Sequence, residues 1–204
     1  MSGTVLWTLV TIGLAVVIVR RRSVAVALVT GQALLLAGVA LEEAESGADV
    51  AAAFALLLRA LGLGALFLLL VSRTRESRPV RAGVAPLVRA GLAVSLALTL
   101  PWLVPEIGLD SRDAERAVLA LIAFGIVCAG ARRATLFQVL GIVLVENGLA
   151  LAALELPGAT SSLAIELGVA LDLTLIALVA AVFHERIFAE FGAGDTAALR
   201  RLRD

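Results

Sequence analysis

Long apolar stretches alternate with short charged segments along the whole chain. Cutting the sequence at its charged and turn-rich segments leaves seven apolar stretches, at about residues 4–19, 23–41, 50–72, 83–104, 115–131, 134–155 and 161–183. About 20 helical residues, each adding about 1.5 Å, cross the hydrocarbon core of a bilayer. The stretches are longer than barrel strands and lack their period-two alternation. The pattern therefore predicts an all-α integral membrane protein with seven transmembrane helices.

The composition excludes an ordinary soluble domain. Hydrophobic residues make up 61% of the 204 positions and charged residues only 17%, a balance typical of chains embedded in lipid. All 17 basic residues are Arg and they balance 17 acids, so the formal charge gives no indication of a nucleic-acid partner. The sequence predicts the lipid bilayer as a partner and no nucleic acid.

The arginines predict how the helices are oriented, because basic residues collect in cytoplasmic loops. An N-terminus outside and a C-terminus in the cytoplasm put Arg112 and Arg116 outside, while the outer loops hold mainly acids. Arg89 lies close to a cytoplasmic segment. The arginines predicted to be cytoplasmic are Arg20, Arg21, Arg22, Arg73, Arg75, Arg78, Arg81, Arg132, Arg133, Arg186, Arg200, Arg201 and Arg203.

Three charged residues interrupt the apolar stretches near the predicted midplane of the membrane. Arg59, Glu146 and Asp172 each lie about ten to twelve residues into a different stretch. A charge at that depth costs about 2.5 to 3.5 kcal/mol on insertion scales, so it usually faces a partner or a water-filled cavity. Glu166 is shallower and shares a predicted helix with Asp172. We therefore take these four residues as the candidate site.

Two interpretations of the four charges remain open. Protonatable side chains placed through a helix bundle form proton paths, in which Arg59 stays charged and tunes its neighbours without carrying a proton. Alternatively, Arg59 forms a fixed salt bridge with Glu146 or Asp172 that only holds helices together.

Uncharged residues in the same stretches predict helix packing. Gln32 is predicted to hydrogen-bond across helices, and Gly141 and Gly148 lie close to one stripe of the sixth stretch. Small residues on such a stripe favour close backbone contact between helices.

The sequence contains no motif of Cys or His residues that would bind a metal ion or an iron-sulfur cluster. Cys128 and His184 are the chain's one cysteine and one histidine, and no Cys-x-x-Cys or His-x-x-His pair occurs. An iron-sulfur cluster or an ordinary zinc site carried by this chain is therefore not expected.

Three motifs follow one another in the last part of the chain: Glu146-Asn-Gly in its helix, the Glu166-x-Gly-x-x-x-Asp172 pattern, and the segment Phe191-Gly-Ala-Gly-Asp195-Thr near the C-terminus. In this order they resemble component E of hydrogenase 4, a membrane subunit of group 4 nickel-iron hydrogenase complexes. The segment from Phe54 to Arg59 aligns with one that has Lys in the family. Because Arg does not give up its proton, the resemblance implies that Arg59 is a fixed counter-charge.

The last three predicted helices are also similar to the K-type subunit of respiratory complex I and the C-type subunit of Mrp antiporters. Those subunits have an Arg-rich inner loop and a Glu in each of two helices, which Glu146 matches well and Glu166 matches with a shortened loop. Residues 1–204 then form a single membrane domain, with helices one to four over 1–114, K-like helices over 115–183 and a cytoplasmic tail over 184–204.

The resemblance implies a non-redox accessory subunit of an oxidoreductase complex in a bacterial or archaeal cytoplasmic membrane. It would couple electron transfer in partner chains to proton or sodium movement, without an active site of its own. Its partners would be antiporter-like membrane subunits and a peripheral hydrogenase-like arm that holds the nickel-iron and iron-sulfur centres. Two alternatives are a structural membrane anchor for the antiporter-like subunits and a free-standing small ion transporter.

Overall fold

The computed structural model describes residues 1–74, 84–156, 174, 176–186 and 188–189, and these residues are mainly helical. Residues 174, 176–186 and 188–189 are all in helical conformation. No β-strand occurs in this described part of the chain. Six helices have defined bounds: α1 Gly3–Ile18, α2 Arg22–Glu42, α3 Gly47–Thr74, α4 Pro86–Leu103, α5 Arg112–Ala131 and α6 Thr135–Leu154.

The six helices correspond to the first six predicted stretches. Helices α2 to α6 are long and apolar enough to cross a membrane, and α1, with 16 residues, is a shorter apolar helix. The chain is therefore a multi-pass, all-helical membrane protein in the part that the structure describes. The predicted seventh stretch, 161–183, lies largely outside the described residues.

Two helices begin earlier than their apolar residues suggest, because polar side chains cap them. Ser46 and Asp49 bond reciprocally, with Asp49 Oδ2 accepting from Ser46 N at 2.9 Å and Ser46 Oγ accepting from Asp49 N at 3.2 Å. Ser111 Oγ accepts from Ala114 N at 3.0 Å. Such caps satisfy backbone N–H groups that have no partner within the helix, so α3 and α5 each start about three residues before the predicted stretch.

The two ends of the helix bundle differ in charge: one end is acidic and the other is basic. At the acidic end, Asp110 N donates to the Glu155 carbonyl oxygen at 3.0 Å, which joins the α4–α5 loop to the end of α6. At the basic end, Arg132 Nη2 donates to the Val17 carbonyl oxygen at 2.8 Å, which joins the ends of α5 and α1. Arg73 pairs there with Glu185 at 3.5 Å. Successive helices therefore run in alternating directions.

Glycines allow α5 and α6 to pack with their backbones close together. A Cβ on Gly125 would lie 2.5 Å from the Gly141 carbonyl oxygen, and one on Gly141 would lie 2.6 Å from Ala129 N. A Cβ on Gly148 would lie 3.3 Å from the Val118 carbonyl oxygen. The predicted close packing of the sixth helix is confirmed, and it holds α6 firmly against α5.

Candidate functional site

The candidate site is a buried ion pair between α3 and α6. The guanidinium of Arg59 contacts the carboxylate of Glu146 directly, Nη1 to Oε1. Both residues lie well inside their helices and are only 8% exposed. Glu146 and Asn147 belong to the buried side of α6 together with Val143 and Leu151. The packing of α6 therefore directs the polar side chains of Glu146 and Asn147 toward the interior of the bundle.

A chain of hydrogen bonds extends from the ion pair to two further helices. Arg59 Nη2 donates to Asn147 Oδ1 at 3.5 Å. Asn147 Nδ2 donates to Gln32 Oε1 at 2.9 Å, and Gln32 Nε2 donates to the Leu9 carbonyl oxygen at 2.8 Å. Gln32 and Asn147 are both fully buried. The network thus links α1, α2, α3 and α6 across the interior of the bundle.

A small, mainly apolar cavity lies beside this network, between α2, α3 and α6. Its volume is about 10 Å³, and its walls include Thr30, Arg59, Gly64 and Asn147. A cavity of about 10 to 15 Å³, measured in this way, holds one water molecule if polar groups surround it. The cavity is therefore close to the size of one water, and Thr30, Arg59 and Asn147 are the polar residues in its otherwise apolar wall.

Glu146 has a carboxylate oxygen that the described residues leave unused. Oε1 contacts Arg59, whereas Oε2 is buried and has no hydrogen-bond partner among the described residues. A buried acceptor without a partner costs about 1 to 3 kcal/mol. This oxygen is therefore the natural position for an added proton or a bound water.

The structure places the predicted site residues in two groups. Arg59 and Glu146 are brought together, and the predicted bond of Gln32 across helices is confirmed. Glu166 and Asp172 lie outside the described residues, so a contact of Arg59 with Asp172 stays a prediction.

Asn147 is the site residue that sequence reasoning missed. It follows Glu146 directly and is the second polar residue in the middle of an apolar helix. Its amide both accepts from Arg59 and donates to Gln32. A buried amide that can do both is the usual way to join two polar groups on different helices. The polar pair in the sequence was the available signal.

The described residues contain no group of three or more His, Cys, Asp or Glu side chains that could hold a metal ion. Cys128 is buried, and its Sγ donates to the Phe137 carbonyl oxygen at 3.4 Å, which gives it a packing role between α5 and α6. The expectation that nickel-iron and iron-sulfur centres belong to partner chains stays a prediction.

The described geometry thus offers one buried, protonatable carboxylate beside a fixed cation and a water-sized space. Comparison of the chain with protein-family models, with curated proteins and with solved structures finds no match.

Proposed function

We propose that this chain is a membrane subunit that helps protons cross the bilayer, with Glu146 as the group that binds and releases the proton. Arg59 is its fixed counter-charge, since a guanidinium remains protonated in proteins. The proposal includes seven membrane spans with the basic end in the cytoplasm. The separation of acidic and basic helix ends supports this orientation, because basic residues favour the cytoplasmic side.

The observation that carries the proposal is the state of the Glu146 carboxylate. One oxygen contacts Arg59 while the other is buried without a partner in the described part of the chain. A purely structural acid would be expected to have both oxygens bonded, because buried polar atoms are rarely left unsatisfied. Ionisable residues inside a membrane mark ion pathways by default.

A change of protonation at Glu146 has a direct structural consequence. A proton on Oε2 neutralises the carboxylate and weakens its attraction for Arg59. Arg59 already donates to Asn147 Oδ1, so it has a second acceptor within reach when the first one weakens. Loading and unloading of the proton would therefore shift the guanidinium between two acceptors. Glu166 and Asp172 are proposed to continue the path.

The adjacent guanidinium favours a proton over a sodium ion as the transported species. A metal cation at Oε2 would lie close to the positive charge of Arg59 and would repel it, whereas a proton forms a covalent O–H bond with the carboxylate. Hard cations also require several oxygen ligands. Sodium uptake is accordingly one outcome that would revise the proposal.

We further propose that the chain works within an oxidoreductase complex of the hydrogenase-4 or complex-I type. The ordered motifs around Glu146, Glu166 and Asp172 support this assignment. Antiporter-like membrane subunits and a peripheral hydrogenase-like arm would be the partners. The redox centres would then belong to the arm.

The test measures proton binding and proton movement separately. Infrared difference spectra of the purified protein, recorded as the pH is changed, should contain a carboxylic-acid band that Glu146→Gln removes. In liposomes containing the native assembly and a pH-sensitive dye, Glu146→Gln should slow proton uptake about 100-fold or more, the effect typical of removing a general acid–base group. Glu106→Gln, which changes an exposed acid in the α4–α5 loop, should behave like the unaltered protein.

A structural anchor is the second candidate, and the direct Arg59–Glu146 contact favours it. The double variant Arg59→Gln/Glu146→Gln distinguishes the two functions, because it removes both charges of the described pair together. If the pair only holds helices together, the double variant should assemble and move protons normally. If Glu146 carries protons, the double variant should assemble and still fail to move them. Normal proton uptake by a correctly assembled double variant would refute our proposal.

The free-standing transporter is tested by the same reconstitution. The chain alone, inserted into liposomes, should show no proton uptake if it is a subunit of a larger assembly. Uptake by the chain alone at the rate of the native assembly would support a transporter that needs no partner.

A further inference from the structure

Arg89, in the first turn of α4, is the most deeply buried charged side chain that the structure describes. It is 0% exposed, and none of its three guanidinium nitrogens has a hydrogen-bond acceptor among the described residues. An isolated buried charge costs far more than a paired one. The positive charge of Arg89 therefore needs an acceptor or an anion that is not among its described contacts.

The charged residues described close to Arg89 are arginines, so they add positive charge. Arg132 is 3% exposed. Burial and, next in size, the charge of Arg89 lower the pKa of Arg132 to about 10. Arg20, which is exposed, lies close enough to repel both. Within the described part of the chain, the acid at this end of the bundle is Glu185, which pairs with Arg73.

The local backbone compensates only part of this charge. The last turn of α1 directs its carbonyl oxygens to this end, but Arg132 already binds those of Val16, Val17 and Val19. Arg132 also covers the ring of Phe137 at 3.8 Å. These three carbonyl groups thus bind a second arginine, Arg132.

The start of α4 adds uncapped backbone donors to the same place. Its N-cap is Ala85, no side chain caps the helix, and Pro86 occupies the first turn. The first N–H groups of a helix have no partner within it and carry a partial positive charge. A helix start combined with arginine side chains is a frequent binding arrangement for phosphate.

We propose that the basic end of the bundle binds a phosphate group at the start of α4, with Arg20, Arg89 and Arg132 as its ligands. The headgroup of an anionic phospholipid is one source of that phosphate, and soluble phosphate is the other. Exposed Arg20 would attract the anion, and the long side chains of Arg89 and Arg132 would reach it. Arginine pairs with phosphate through two parallel N–H donors, which suits this role.

The outer surface of α4 favours the lipid as the source. Apart from Arg89 and Ala93, the residues of α4 are not fully buried, and Leu87 and Val88 beside the proposed site are 85% and 59% exposed. An apolar surface next to a phosphate site is suited to acyl chains. Basic pockets between helices at the cytoplasmic side bind lipid headgroups in this way.

The test compares the full chain in two bilayers. Nanodiscs of phosphatidylcholine alone and of phosphatidylcholine with phosphatidylglycerol are used, and the apparent affinity for the anionic lipid is read from the shift in thermal unfolding. The unaltered protein should be stabilised by phosphatidylglycerol. Arg89→Leu should reduce the apparent affinity about tenfold or more, the value of one lost charge-assisted hydrogen bond. Arg21→Gln, an exposed arginine at the same end, should change it less than about twofold.

Two further measurements complete the test. Arg89→Lys keeps the charge and loses the paired donors, so its affinity for phosphatidylglycerol should fall between those of the unaltered protein and Arg89→Leu. If Arg89→Leu does not fold, Arg89→Lys is measured in its place. Inorganic phosphate added to the detergent-solubilised chain shows whether a soluble anion also fills the site. The proposal is refuted if neither phosphatidylglycerol nor inorganic phosphate stabilises the protein, or if both Arg89 variants respond as the unaltered chain does.

Discussion

The two buried arginines of α3 and α4 have opposite surroundings. Arg59 meets Glu146 and Asn147 from α6 and belongs to a network that includes Gln32 of α2. Arg89 is buried at least as deeply but meets no acceptor among the described residues, and its neighbour Arg132 is a second cation. The same side chain is thus compensated inside the chain in one region and left uncompensated in the other.

This difference shows how the surroundings decide what a buried charge does. A cation paired with a carboxylate forms a nearly neutral unit, and a proton arriving at the carboxylate changes that balance. A cation among other cations keeps its full positive field, so it attracts an anion from outside. We therefore propose proton chemistry for the region of the Arg59–Glu146 pair and anion binding for the basic end.

The largest expected effect comes from breaking the Arg59–Glu146 pair. Glu146→Leu removes the carboxylate from the buried guanidinium and should lower the free energy of unfolding by about 3 to 5 kcal/mol, the usual effect of removing one partner of a buried pair. Chemical denaturation in detergent micelles measures it. The double variant Arg59→Leu/Glu146→Leu should recover most of that loss.

The corresponding change at Arg89 provides the contrast. In a bilayer without anionic lipid or added phosphate, Arg89→Leu should not lower the free energy of unfolding, because it removes an uncompensated charge. A loss at Arg89 as large as that at Glu146 would show that both arginines are compensated within the chain, and the distinction between the two regions would be wrong.

An intermediate effect is expected from lowering the pH, through His184 at the basic end. His184 is 1% exposed, and burial followed by the charge of Arg22 lowers its pKa from 6.5 to about 4. Between these values the unfolded chain binds a proton that the folded chain does not, so stability falls as the pH falls. At pH 5 the loss should be about 2 kcal/mol.

His184→Gln should remove this part of the pH dependence. The difference between the two proteins isolates the histidine, because all the acids titrate in both. Unfolding free energies measured at pH 7 and pH 5 provide the comparison. Equal slopes for the two proteins would show that His184 is protonated in the folded state, which would contradict a strongly cationic surrounding.

The smallest effect is expected from filling the cavity beside Arg59. A Cβ on Gly64 would lie 2.7 Å from Thr30 Cγ2, so Gly64→Ala must displace the Thr30 side chain. Because that side chain can move, the cost should be only about 1 kcal/mol. Proton uptake should fall if a water in the cavity serves Glu146.

Gly62→Ala is the matched control in the same helix. A Cβ there meets nothing within 4 Å, so this variant should be neutral or slightly stabilising, as alanine generally is in place of glycine in a helix. Equal effects of the two substitutions on stability and proton uptake would show that the cavity has no role in proton transfer.

The positions of the first six helices follow from the sequence because a bilayer imposes a simple rule on each segment separately. A stretch of about 20 apolar residues must form a helix to satisfy its backbone in lipid, whatever its neighbours are. The starts of α3 and α5 differ from the predicted stretches because Ser46 and Ser111 act as caps, and capping depends on local geometry beyond hydrophobicity. The charges of the loops likewise predict which helix ends meet.

The partners of the buried polar residues were decided only by the tertiary structure. The sequence shows that Arg59 and Glu146 are too deep to remain alone, but it left both Glu146 and Asp172 as partners of Arg59. The contact with Glu146, the linking role of Asn147 and the full burial of Arg89 depend on the rotation of each helix about its axis. That rotation is fixed by packing between segments far apart in the chain, such as the glycine contact of α5 with α6, and no single segment contains it.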